Sequence, residues 1–232
     1  MWLWMGDPAR ADTALVPRAL NHGDPDWWMQ TGELAYEANY QLINDNLLDL
    51  AHLSYVHENT LGRNSMSWAE SRPTVTRIPR GLRIARWVVN NPSPRYLTVP
   101  GGVSHVDMWA SYDYMVPGVF LLGTRTYPVG TSAARSMQAP EPDAKPLTAT
   151  TTSQAVTPMD EQHTIYYYSG WEGNAIIEAQ QRVITRTPQP HMLGIRTDHV
   201  LNEFRRLMDE LIAAEHGGSA ADPVPLPLAA EG

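Results

Sequence analysis

Between Val75 and Ser169 the chain breaks into six short strand-like runs separated by turn residues, and this pattern dictates a sheet. The runs are Val75 to Ile78, Leu82 to Val89, Val103 to Tyr112, Val119 to Tyr127, Thr148 to Val156 and His163 to Ser169. β-Branched and aromatic residues are frequent in them, and Pro and Gly punctuate the gaps. Arg83 and Arg86 interrupt the second run, and the third puts Val103, His105, Asp107 and Trp109 on one side. Successive short strands with turn signals pair antiparallel. Two helical stretches flank them. One starts near Glu37 and carries Leu42, Ile43, Leu47, Leu48 and Leu50. The other spans Asp198 to Ala214, where Val200, Leu201, Phe204, Leu207, Met208, Leu211 and Ile212 form one apolar stripe. An antiparallel sheet with helices laid over it is an α+β fold.

The remaining stretches are connectors. Met1 to Met5 is apolar and β-prone. Residues 7–33 hold Pro8, Pro17, Gly23, Pro25 and Gly32 and read as a loop-rich connector that Trp27 and Trp28 pack down. Ser132 to Pro146 reads as an exposed loop, Ala175 to Thr185 fits either a helix or a strand, and the tail from Gly217 reads as disordered. The expected organisation is a connector over 1–33, a main domain over 34–216 and a tail over 217–232.

Composition narrows the function. A chain of 232 residues can bury one sizeable core. A net charge of −8 without a basic cluster argues against nucleic acid as a partner. No apolar run reaches the roughly 18 residues that a transmembrane helix needs, and the start lacks the marks of a secretory signal, so no membrane association and a cytoplasmic location are expected. With no cysteine, this stretch holds no disulfide, no thiolate metal site and no Cys-ligated iron–sulfur cluster.

The chemistry concentrates between Asn39 and Gly62, which contains Asp49-x2-His52-x4-His57. Two imidazoles this close suit Fe, Zn, Cu or Ni, and a nearby carboxylate can orient them. The same histidines would equally serve as ordinary polar groups at a helix end. Asp49 and His52 are three apart and share a helix face. His52 and His57 lie roughly 140° apart on a regular helix, so joint chelation requires the helix to end, loosen or bulge between them. Tyr55 and Val56 weaken it there, and Asn59-Thr-Leu-Gly62 carries a glycine stop signal.

Asn46-Leu-Leu-Asp49-Leu-Ala-His52-Leu-Ser-Tyr-Val-His57 resembles the iron-binding helix of the Rieske non-haem iron oxygenases, in the branch of vanillate and dicamba O-demethylase oxygenases. Met1 to Asp12 is similar to the exit from that family's Rieske domain. Val106-Asp-Met-Trp109 is similar to a strand of its catalytic domain, and Ile176 to Arg182 to the segment after its carboxylate ligand. The resemblance runs over roughly residues 1–215 in the family's order. It implies a helix-grip sheet with a cavity beneath the helices, and a catalytic domain without its Rieske domain, residues 1–33 being the remnant of the Rieske-domain exit. It implies Fe(II) held by His52 and His57. Asp49 would hydrogen-bond a ligand histidine and link the iron to the neighbouring subunit's Rieske centre. Asn46, one turn earlier, would face the pocket.

The carboxylate ligand is the exception. The family places an Asp five residues before the glutamate that matches Glu178, and that position is Gly173 here. Glu172, its neighbour, is the first substitute for the metal and Glu178 the second. Ser111, Tyr112, His105, Trp109 and Tyr166 to Tyr168 are the expected substrate-lining candidates, with His105 and His163 also readable as ordinary polar contacts.

The resemblance therefore implies an oxidoreductase, the oxygenase component of an aromatic monooxygenase or O-demethylase. Its partners would be O2, an aromatic small molecule, an external Rieske [2Fe–2S] centre, and NAD(P)H acting through a reductase or ferredoxin. Subunits would assemble as a homo-trimer. The alternative is a non-catalytic module of the same fold that binds a small ligand or associates with other subunits.

Overall fold

A computed structural model of the chain describes residues 2–22, 24, 30–56, 66–94, 99–169 and 199–215. Seven strands form one antiparallel sheet: β1 (Thr31–Tyr36), β2 (Thr74–Ile78), β3 (Gly81–Pro92), β4 (His105–Met115), β5 (Val119–Tyr127), β6 (Thr148–Pro158) and β7 (Thr164–Ser169). Their order is β1-β7-β6-β5-β4-β3-β2, so β2 to β7 form a continuous meander and β1 closes on its far edge. Among the described residues five α-helices accompany them: α1 (Tyr40–Leu48), α2 (His52–Tyr55), α3 (Ser67–Glu70), α4 (Ser132–Ser136) and α5 (His199–Glu215). Among the described residues no helix is long and apolar enough to cross a membrane.

The α+β expectation holds. All six expected runs are strands, with ends shifted by a few residues. Alternation explains their two faces. Leu82, Ile84, Tyr114, Phe120, Val156 and Tyr166 point to the inner face and join Ile43, Leu47 and Leu48 of α1 and Val200, Phe204 and Leu207 of α5 in the main core. Each such side chain contributes about 1.5–3 kcal/mol by leaving water. Arg205 of α5 donates to the Asp45 carboxylate of α1 at 2.9 Å, tying the two helices together. On the outer face Trp87 packs on Trp109, Tyr127 and Ala134, and its indole donates to the Gln138 carbonyl at 2.7 Å. Gly81 opens β3 against the Tyr114 carbonyl, which a Cβ would meet at 1.8 Å, so only glycine allows the two strands to lie this close.

Several expectations are corrected. β1 begins inside the stretch read as a connector. It is short, and its strand character comes from pairing with β7, from Thr31 against Ser169 to Tyr36 against Thr164. Residues 2–5 are not in a strand; they are exposed, with the Trp4 indole donating to the Asp7 carbonyl at 2.8 Å. Residues 19–22 instead lie on the outer face, where the Leu20 amide donates to Ser153 Oγ at 2.8 Å. The loop over 132–146 contains α4, which buries Ala134. The first helix starts at Tyr40 rather than near Glu37, because Asn39 caps it by accepting from the Gln41 amide at 2.9 Å. Trp27, Trp28, the Asn59–Gly62 stop signal, Ala175 to Thr185 and the tail from Gly217 lie outside the described residues.

Candidate functional site

The motif sits where α1 ends. Helical periodicity buries Ile43, Leu47 and Leu48, and Asp49 then leaves the helix with φ −76° and ψ 89°. The Asp49 carboxylate turns forward and accepts from the Ala51 amide at 2.9 Å and the His52 amide at 3.3 Å. This is the local bonding that makes aspartate a helix-starting residue, and α2 begins at His52. The break therefore lies before His52. The expectation of one helix face shared by Asp49 and His52 is corrected accordingly. The His52 Nδ1 meets the Asp49 backbone carbonyl in a short hydrogen bond. Between these two residues the ring bond is made by the Asp49 backbone carbonyl, while both amides bond carboxylate oxygen Oδ1.

Asp49 and His52 line a small cleft of about 40 Å³ between α1, α2 and the inner face of the sheet. Leu50, Leu53, Phe120 and Leu122 supply apolar walls, and Tyr112 and Gln154 supply the polar groups of the sheet side. A larger cavity of about 480 Å³ lies on the outer face under the N-terminal segment, lined by Trp2, Pro17, His22, Leu121 and Tyr167, and only Gln154 borders both. It contains none of the motif residues.

Behind the cleft stands Arg86. Leu82, Ile84, Arg86 and Val88 occupy alternate positions of β3, so the arginine points inward and is only 4% exposed. Its Nη2 donates to the Leu50 carbonyl at 3.0 Å, and Nη1 to the Trp68 carbonyl at 2.7 Å and the Ser71 carbonyl at 3.4 Å. The guanidinium lies 4.6 Å over the Trp68 ring. Burial pushes its pKa down to about 10, against the opposing pull of Tyr112 and Asp49. The group stays charged at neutral pH.

The other expected residues divide. Tyr112 reaches the cleft. Trp109 belongs to the outer aromatic cluster, and Ser111 shares its face by alternation. His105 is exposed and bonds Ser104 Oγ at 3.1 Å. Tyr166 packs in the core against Tyr36, Tyr168 stacks on Tyr166, and Tyr167 faces outward. His163 is an ordinary surface contact to Asp160 at 2.9 Å. Asn46 is half-buried on α1 and does not line the cleft. His57, Glu172, Gly173 and Glu178 lie outside the described residues. Among the described residues no three His, Asp or Glu side chains converge on one point. Sequence reasoning missed Leu122, Gln154 and the role of Arg86. For Arg86 the inward alternation Leu82-x-Ile84-x-Arg86-x-Val88 was a usable signal.

Comparison with known proteins identifies the family. The family described as vanillate O-demethylase oxygenase C-terminal domain matches residues 36–171. The toluene-4-sulfonate monooxygenase system iron-sulfur subunit TsaM1 of Comamonas testosteroni is 34% identical over 242 residues, covering 95% of this chain and 69% of that protein. The vanillate O-demethylase oxygenase subunit of a Pseudomonas species is 25% identical over 244 residues, covering 95% of this chain and 73% of that protein. Dicamba monooxygenase bound to 3,6-dichlorosalicylic acid superposes with a TM-score of 0.73 over 92% of this chain and 67% of that one, at 21% identity, and so shares the fold. With the family match spanning β2 to β7 and the histidine motif, and a relative above 30% identity along nearly the whole chain, this chain belongs to the vanillate O-demethylase oxygenase C-terminal domain family.

Proposed function

We propose that this chain is the catalytic domain of a Rieske-type aromatic monooxygenase or O-demethylase. The observation that carries the reading is the placement of His52: it borders an apolar cleft, and its Nδ1 is held by the Asp49 carbonyl. A ring nitrogen facing a carbonyl oxygen carries the proton, which leaves Nε2 as the basic nitrogen. That tautomer is the one a metal takes, so the residue fits the group the family implies. Fe(II) would be held by His52, His57 and a carboxylate, for which Glu172 stands first. When bound, Fe(II) supplies the point at which O2 receives two electrons and two protons, one oxygen passing to a substrate carbon and the other leaving as water.

The chain's own residues bind and shield the substrate. Leu50, Leu53, Phe120 and Leu122 form an apolar wall for an aromatic ring, with Tyr112 and Gln154 as hydrogen-bonding groups beside it; the cleft of about 40 Å³ between them must widen to admit the ring. Asp49 holds His52 in one tautomer. If the oxidised carbon is an O-methyl group, the hemiacetal collapses to a phenol and formaldehyde. Electrons come from an external Rieske [2Fe–2S] centre and ultimately from NAD(P)H through a reductase or ferredoxin, which suits a cytoplasmic setting.

The test is anaerobic Fe(II) titration of the chain and of His52→Ala, His57→Ala and Glu172→Ala, followed by turnover of an aromatic methyl ether with an added Rieske donor. Near-stoichiometric iron in the unaltered chain, lost in both histidine variants, with formaldehyde released on turnover, is the expected outcome. Iron retained in Glu172→Ala would move the carboxylate to another residue. No iron in any form would sink the oxygenase reading and leave the small-ligand-binding module.

A further inference from the structure

We infer that Arg86 is the positioning residue of the histidine motif, a buried guanidinium that pins the main chain before and after its two histidines. The inference rests on the metal-site reading of His52 proposed above. The chain between Leu50 and Trp68 carries both histidines of the motif. Arg86 takes the Leu50 carbonyl with one terminal nitrogen and the Trp68 and Ser71 carbonyls with the other. Leu50 is two residues before His52 and one after Asp49, the residue that grips the His52 ring. The register of that grip is thus set from the sheet, through a side chain that does not border the cleft.

The chemistry requires arginine. Among the described residues no carboxylate forms an ion pair with Arg86; its charge is answered by carbonyl oxygens and the Trp68 ring, with the Asp49 carboxylate acting at longer range. A planar fork reaches two carbonyls on different segments at once. A lysine ammonium is a single point that cannot span them and loses its proton more readily when buried. Placing a strand-borne charge in a core normally costs stability, and its retention here is explained by what it holds in place. The Arg83 fork on the same strand makes a useful contrast, since it only pairs with exposed-face Asp113 at 2.6 Å.

The experiment uses the full chain, with Arg86→Lys and the volume-preserving Arg86→Met, and Arg83→Lys as the control. Ring-nitrogen NMR reads the His52 tautomer without metal, and anaerobic calorimetry reads Fe(II) affinity. In the unaltered chain and in Arg83→Lys, His52 is held as the Nδ1–H tautomer. In Arg86→Lys the ring relaxes to a mixture of tautomers and Fe(II) binds at least about tenfold more weakly, the scale on which residues supporting metal ligands act. If Arg86→Lys does not fold, Arg86→Met carries the same two measurements. A folded Arg86 variant that keeps both the single tautomer and the affinity, with only a lowered melting temperature, would reduce Arg86 to a core residue and overturn the inference. An unaltered chain that binds no Fe(II) overturns the proposed function instead, and the tautomer measurement still decides the role of Arg86.

Discussion

Asp49 and His52 are joined twice. The aspartate carboxylate accepts from the histidine amide at 3.3 Å, and the aspartate carbonyl meets the histidine ring at Nδ1. One residue thus starts the helix that carries the histidine and also sets which ring nitrogen is basic. These two jobs use different atoms and can be separated by mutation.

Asp49→Asn keeps an oxygen for the Ala51 and His52 amides, whereas Asp49→Ala removes it. The alanine variant should lose about 1 kcal/mol, the usual value of a helix-starting cap. For a chain of this size that is a drop of about 2–4 °C in melting temperature. The asparagine variant should melt within about 1 °C of the parent in calorimetry. Equal losses in both would show that the carboxylate charge, not its hydrogen bonds, matters.

Leu122→Trp should fill the cleft of about 40 Å³ beside His52. The added bulk overfills so small a space, so the variant should also lose about 1–3 kcal/mol of stability while still unfolding cooperatively. Binding of an aromatic ligand, read by tryptophan fluorescence or calorimetry, should fall at least about tenfold, or about 1.4 kcal/mol. Leu121→Trp, one position along on the opposite face, should leave that binding intact. Loss in the second variant alone would move the ligand site to the outer cavity.

Tyr114 is fully buried, and its hydroxyl donates to the Pro117 carbonyl at 3.2 Å. Burial, assisted by the charges of Tyr40 and Asp45, raises its pKa above the ordinary value of 10. A raised pKa means that the folded state holds the proton more tightly than the unfolded state. Stability is therefore full below pH 10 and declines as pH rises beyond it. Tyr114→Phe should cost about 1 kcal/mol at neutral pH and flatten that alkaline decline. Denaturant titrations at pH 8 and pH 11 compare the two chains.

Arg77 of β2 and Glu210 of α5 form a two-pronged pair at 2.6 and 3.1 Å. The hydrogen bond from Arg77 holds the Glu210 carboxyl below its ordinary 4.5, so the contribution is present above that pH and is lost as pH falls below it. Both side chains are about two-fifths exposed, at 41% and 42%, so solvent screening keeps the coupling under about 1 kcal/mol. A double-mutant cycle to alanine should find this coupling at pH 7, a smaller value in 1 M salt by screening, and a value that falls away as the carboxylate is protonated in acid. Coupling that does not change between neutral pH and acid strong enough to protonate the carboxylate would contradict the ionic account.

Much of the fold was legible because the signals are local. Val119 to Tyr127 is a strand with the ends its sequence suggests, and the stripe from Val200 to Leu207 does face the core. β1 was not legible, since Thr31–Tyr36 is short and contains a glycine and a glutamate. Only Ser169, more than a hundred residues along, makes Thr31 part of a ladder. The site divides in the same way. Asp49, His52 and Tyr112 were singled out and meet at one cleft, whereas Trp109 and Ser111 were placed there by strand membership alone and fall on the outer face.

The sequence by itself determined the α+β class, the positions of six strands and two helices, and the Asp49-x2-His52-x4-His57 motif, because alternation, periodicity and residue chemistry act over a few neighbouring positions. Only the tertiary structure decided that α1 stops at Leu48, that the His52 ring takes the Asp49 carbonyl, and that Arg86 lies beneath both. A buried guanidinium is tolerable only where distant carbonyls converge on it, and that convergence of Leu50, Trp68 and Ser71 exists only once β3 has been packed against the segments on either side of the motif.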